Sequence, residues 1–168
     1  MNYDLARPLI RSGDMLLWSR EAGWNSRSDI ETHMVRIGTE SQWTHIGVAW
    51  AEHGRVWVME LTTRGCAPRL LSAELPFWWI PAPKPLSEAA LEKAFSRFGV
   101  LEYSRWQAIA GRLKMLDIGA DLKGQCAEYA LEIWRTDDIA PSKVATPFRC
   151  MTGAMERWPG ANLTFVTP

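Results

Sequence analysis

Thr44-His45-Ile46-Gly47-Val48-Ala49-Trp50-Ala51-Glu52-His53-Gly54-Arg55-Val56-Trp57-Val58-Met59-Glu60-Leu61 is rich in β-branched and aromatic residues and is broken once, at Ala51 to Gly54. Two strands, Thr44 to Trp50 and Arg55 to Leu61, joined by a short glycine-bearing connection, are the reading this pattern dictates. A two-residue connection at Glu52-His53 pairs Ala51 with Gly54 and, further back, His45 with Glu60. A four-residue connection keeps that register, whereas a three-residue one moves Glu60 opposite Ile46 and onto the other face. In the first register His45 and Glu60 share a face with Cβ atoms about 5 Å apart, close enough for a carboxylate to bond an imidazole nitrogen. Gly47 and Ala49 share that face, which predicts that a helix approaches there. Thr44, Ile46, Val48 and Trp50 make the opposite face bulkier.

Upstream of the hairpin, Gly13-Asp14 precedes a short apolar strand, Met15-Leu16-Leu17-Trp18. Downstream, Cys66 to Leu71 and Phe77 to Ile80 read as two further strands. The Pro81-Ala82-Pro83-Lys84-Pro85 stretch then reads as a hinge to a helical half. Ser87 is placed to cap a helix with apolar residues at Ala90, Leu91, Ala94, Phe95 and Phe98. Second, third and fourth helices are predicted over 106–116, 125–134 and 147–155, with Pro147 suited to a first turn. Ile30 to Ile37 has room for a turn or two of helix. The Ser19 to Gln42 stretch is polar at Asn25 to Asp29 and suits a lid or a docking loop. Strands first and helices afterwards predict an α+β architecture, a small antiparallel sheet from the N-terminal half packed against helices from the C-terminal half. With no internal repeat, residues 1–168 read as one domain, long enough to bury a core without disulfides or metal.

Nineteen basic and nineteen acidic residues cancel, so no basic field argues for nucleic acid or for an anionic membrane surface. Ten tryptophans among 168 residues are a large excess, which predicts that some line a groove or a surface for a larger assembly. Residues 1–10 lack the apolar run of a signal peptide and no stretch is long and apolar enough to span a membrane. Cytoplasmic synthesis is the expectation, with any extracellular role needing delivery in a virion or as a secreted effector.

The three cysteines, Cys66, Cys126 and Cys150, form neither a disulfide framework nor a CxxC pair. Cys126 stands apart because it follows Gly124 at the start of the third helix. There, free N–H groups and the helix dipole stabilise a thiolate, and cysteines so placed have pKa values of about 3.5 to 7.5. A cysteine nucleophile, a histidine base and an acid that orients the base are the parts of a thiol catalytic triad: Cys126, His45 and Glu60. The backbone of Cys126 supplies one oxyanion donor, the second being unassigned. Cys66 and Cys150 lack such surroundings and read as packing residues, while His33 and His53 read as solvent-facing. No ligand spacing suggests a metal, and no cofactor is expected.

Gly13-Asp14 before an apolar strand, Thr44-His45-Ile46-Gly47, Val58-Met59-Glu60 and Cys126-Ala127-Glu128-Tyr129 occur in the order histidine before cysteine. In this the chain resembles the circularly permuted branch of the NlpC-type papain-like superfamily, which includes lecithin:retinol acyltransferase-like and YiiX-type proteins. The likeness runs from residue 13 to about 152 and takes in Thr146-Pro147 and Tyr103, the latter without a role. It implies a permuted papain-like fold and a cysteine hydrolase that cleaves an amide bond through a thioester, with peptidoglycan stem peptides as substrate. Two alternatives accompany it. One is a thioester acyltransferase on lipid or acyl donors, its apolar pocket drawn from Phe77-Trp78-Trp79. The other is a catalytically silent structural or virion module.

Overall fold

A computed structural model describes residues 1–19, 42–103 and 123–168. The expected helices over 30–37 and 106–116, His33, and most of the Ser19 to Gln42 stretch lie outside these residues.

Six antiparallel strands form the sheet: β1 (Met15–Trp18), β2 (His45–Glu52), β3 (Arg55–Thr62), β4 (Gly65–Leu70), β5 (Phe77–Ile80) and β8 (Thr164–Val166), in the order β4-β3-β2-β1-β5-β8. A separate parallel pair joins β6 (Glu102–Tyr103) to β7 (Lys123–Gly124). Among the described residues four α-helices accompany them: α1 (Tyr3–Ala6), α2 (Glu88–Phe95), α3 (Cys126–Thr136) and α4 (Pro147–Arg157). The architecture is α+β, as the pattern of strands followed by helices predicts. Ser87 caps α2 by accepting from the Ala90 amide at 3.2 Å, and Thr146 caps α4, whose first turn holds Pro147, by accepting from Arg149 at 3.2 Å.

The hairpin register differs from the expected one by a defined amount. Glu52 pairs with Arg55, Ala51 with Val56 and Ala49 with Val58, so the two turn residues are His53 and Gly54. Their φ angles are 50° and 73°. A tight hairpin turn of this hand needs positive φ at both central positions, which glycine adopts without strain. The expected Glu52-His53 turn would have left Gly54 outside it. The shift leaves the face of every residue unchanged, but it puts Glu60 level with Gly47 and makes His45 its diagonal neighbour rather than its direct partner.

Helix placement is a second correction. Met15, Leu17, Ile46, Val48, Met59 and Leu61 pack under Ala127, Ala130, Leu131 and Trp134 of α3 and under Cys150 and Ala154 of α4. These are the bulkier faces of the strands. Leu16, Ala49, Val58, Phe77 and Trp79 form a second core, closed by Tyr3, Ala6, Ile10 and Leu71. Gly47 does not make room for a helix: a Cβ there would lie 2.3 Å from Val58 Cγ2, so the neighbouring strand fills the space. Each fully buried Leu or Ile contributes about 1.5–3 kcal/mol, so α3 gains more from the branched face than from glycine and alanine.

The proline stretch is tied down rather than free to hinge. The buried Asp14 carboxylate accepts from the amides of Arg11 (2.9 Å) and Ala82 (2.8 Å) and from the Trp79 indole (2.8 Å). Arg11 Nη2 donates to the Ala82 carbonyl at 2.7 Å, and the Leu86 amide donates to Ser12 O at 3.0 Å. Burial raises the Asp14 pKa against those donors. The C-terminal segment also returns to the sheet as β8, and residues 1–3 bond to it, with the Tyr3 amide donating to Thr167 O at 2.9 Å.

Half of the eight described tryptophans are buried in the core. Trp43, Trp79, Trp134 and Trp158 are buried, and the indoles of Trp134 and Trp158 donate to Gly13 O at 2.8 Å and Ile139 O at 3.0 Å. Phe77 is also buried, which removes two of the three side chains expected to line an acyl pocket.

Candidate active site

Three adjacent strands present a polar cluster on the face away from α3. β2 contributes His45, β3 Glu60 and β4 Arg69. In the β3–β4 register Glu60 pairs with Ala67 and Val58 with Arg69, so Arg69, like His45, is a diagonal neighbour of Glu60 on the same face. Glu60 therefore stands between two partners on flanking strands.

The carboxylate gives one oxygen to each. Glu60 Oε2 lies 2.6 Å from His45 Nε2, and Oε1 lies 3.0 Å from Arg69 Nε. Glu60 is buried, so these charged partners are what make its burial tolerable. The Arg69 guanidinium also reaches Thr62 Oγ1 at 3.4 Å and Glu74 Oε1 at 3.6 Å. Trp18 leans on the imidazole with ring centroids 5.5 Å apart, and its indole N–H donates to the Glu74 carbonyl at 2.7 Å.

Cys126 completes the set. It is buried, is the first residue of α3, and interacts with the His45 imidazole strongly enough to help raise its pKa. Because α3 lies on the opposite side of the sheet, the two meet as ends, the first residue of a helix against the first residue of a strand. Local sequence produces the helix start. Gln125 is extended, and its amide donates to Glu128 Oε2 at 3.0 Å, so the Glu128 carboxylate closes the first turn. The amides ahead of the first intrahelical bond have no acceptor within the helix. Glu128 therefore serves the cap.

The electrostatics of His45 are decided by competing effects. Burial pushes its pKa down, but hydrogen bonding and charge attraction from Cys126, and then from Glu60, outweigh it and bring the value to about 10. At neutral pH the ring is an imidazolium held by the Glu60 carboxylate. Cys66 and Cys150 behave differently: burial pushes their thiols up to about 11 and about 12, which keeps both protonated at neutral pH. His53 is exposed in the hairpin turn, 3.7 Å from Glu52. The structure thus brings together all three residues expected to form a triad, while Cys150 feels the charge of Cys126, Cys66 that of Glu60, and His53 lies apart in the turn.

Sequence reasoning missed Arg69 and Trp18. The signal for Arg69 was present: Thr62 pairs with Gly65 across a two-residue turn, and that register alone places Arg69 diagonally from Glu60.

Scanned against protein-family models the chain matches none, and a search of curated proteins returns no match. Among solved structures it is similar to YiiX from Escherichia coli O157:H7, described as a metalloprotein of the DUF1105 group. The TM-score is 0.55 and the identity 12%, covering 94% of this chain and 89% of YiiX. At that identity the likeness concerns the fold. Among the described residues no group of three or more His, Cys, Asp or Glu side chains is arranged to hold a metal. The His45 cluster does not fit one either, since both Glu60 oxygens are engaged, one of them by a guanidinium.

Proposed function

We propose that this protein is a cysteine hydrolase that cleaves an amide bond through a thioester. The observation that carries this reading is the sharing of one imidazole between the buried Glu60 carboxylate and the Cys126 sulfur. Nε2 is given to Glu60, which leaves Nδ1 for the thiol. The Cys126 thiolate adds to the carbonyl carbon while its own N–H, at the start of α3, steadies the developing oxyanion. The His45 imidazolium protonates the leaving amine as the C–N bond breaks, and a thioester remains on Sγ. Neutral His45 then takes a proton from water as the oxygen attacks the thioester. The acid product leaves and the proton returns the pair to its starting state. Glu60 holds the ring orientation and offsets the imidazolium charge throughout.

The substrate class we favour, peptidoglycan stem peptides, rests on the resemblance to permuted NlpC-type enzymes carried by Gly13-Asp14, Thr44-His45-Ile46-Gly47 and Cys126-Ala127-Glu128. Trp18 offers a partly exposed aromatic wall beside His45. Among the described residues no helix is long and apolar enough to cross a membrane. Acyl transfer, the second reading of the sequence, loses support with the burial of Phe77 and Trp79.

Incubation of the purified chain with cell-wall sacculi, followed by mass spectrometry of released fragments, tests the reading. The parent is expected to release fragments with new amine and carboxyl ends, and Cys126→Ala to release none. Equal release by both, or none by either, overturns it.

A further inference from the structure

Glu60 has two oxygens and two cationic partners, and that arrangement restricts the carboxylate more than the bond to His45 alone would. The Glu60 side chain is 5% exposed, so few water molecules reach an oxygen left unpaired. Rotation about its last torsion would exchange Oε1 for Oε2 or turn Oε2 away from the imidazole. The bond from Arg69 Nε to Oε1 at 3.0 Å opposes both motions. Arg69 is itself held at 30% exposure by Thr62 and Glu74. Glu74 anchors the Trp18 indole through its backbone carbonyl, and Trp18 packs on His45. The contacts form a closed circuit, His45 to Glu60 to Arg69 to Glu74 to Trp18 and back to His45.

We propose that Arg69 is a positioning residue for the reaction, fixing Glu60 Oε1 so that Oε2 is presented to His45 and the imidazole is aimed at Cys126. The proposal rests on the thiol-hydrolase reading and adds a fourth residue to it. Arg69 touches neither the thiol nor a reacting atom, and its effect passes through Glu60. A planar guanidinium donating through Nε sets direction as well as charge, which a freely rotating ammonium does not. An ion pair that only stabilised the sheet edge would change the melting temperature and leave the chemistry of Cys126 untouched.

Alkylation of the full-length chain by iodoacetamide, resolved by peptide mass spectrometry from pH 5 to 9, separates these roles without a substrate. In the parent, Cys126 is expected to react at pH 6 faster than Cys66 and Cys150, and His45→Ala to abolish that preference. Arg69→Ala is expected to lower the Cys126 rate at pH 6 about tenfold, the scale of one charge-assisted hydrogen bond, and to leave the rate at pH 9 near that of the parent. Should Arg69→Ala fail to fold, Arg69→Gln carries the same comparison, and folding is verified by thermal melts monitored by circular dichroism. A folded Arg69 variant with the parent's full pH profile overturns the role of Arg69, while loss of reactivity in His45→Ala keeps the hydrolase reading standing. A parent whose Cys126 shows no preference at pH 6 overturns both.

Discussion

Asp14 and Glu60 are two acids buried in the same sheet, 0% and 4% exposed, and they are stabilised in opposite ways. Asp14 meets two backbone amides and an indole, all neutral donors, with the Arg11 charge the least of its influences. Glu60 meets an imidazolium, whose charge can change, and a guanidinium, whose charge cannot. Burial by itself therefore does not mark a working carboxylate. Neutral backbone donors make an acid into a staple, here clamping the proline stretch to β1, whereas a titratable partner makes it part of a site.

The sharpest way to break this comparison is to remove each acid in turn. Asp14→Ala leaves the amides of Arg11 and Ala82 and the Trp79 indole unsatisfied, at about 1–3 kcal/mol for each buried orphan. Its urea unfolding free energy is expected to fall by about 3 kcal/mol or more, while the remaining folded protein keeps the parent's Cys126 alkylation rate at pH 6. A smaller effect on stability is expected for Glu60→Gln, about 1 kcal/mol, because Arg69 keeps Glu74 and partial access to water. Its Cys126 alkylation at pH 6 should nonetheless fall by about tenfold, as for loss of one charge-assisted bond. If Glu60→Gln unfolds the protein and leaves alkylation unchanged, Glu60 is a staple like Asp14 and the distinction collapses.

The pH dependence of stability gives a further test. His45 has a folded pKa of about 10, above its ordinary 6.5, so its contribution is fully present below pH 6.5 and is lost as pH rises through about 10. The difference in unfolding free energy between parent and His45→Gln should accordingly be constant below pH 6 and shrink between pH 7 and 11, measured by urea titration. A difference that grows with pH would place the imidazole in a neutral form in the folded protein.

Much of the fold was legible from residue pattern. Met15–Trp18 and Phe77–Ile80 fall where apolar runs predict strands, and Ser87 and Thr146 cap the helices whose starts they mark. The shared face of His45 and Glu60 was legible too, because a shift of two pairing positions preserves the alternation of side chains. The diagonal offset was missed because the glycine was read as flanking the turn, when positive φ required it inside. The short strand Thr164–Val166 and the helix Tyr3–Ala6 have little periodicity of their own and exist through pairing and packing with distant residues.

Local chemistry thus determined which residues form strands, where helices begin, and that a histidine and an acid share one side of a hairpin. All of these depend on neighbours a few positions away. Tertiary structure alone decided that α3 covers the branched face, that Cys126 meets His45 end to end, and that Arg69 takes the second oxygen of Glu60. Those outcomes depend on which surfaces bury the most apolar area and on where ionic partners from separate strands come into register. No single stretch of the chain carries that information.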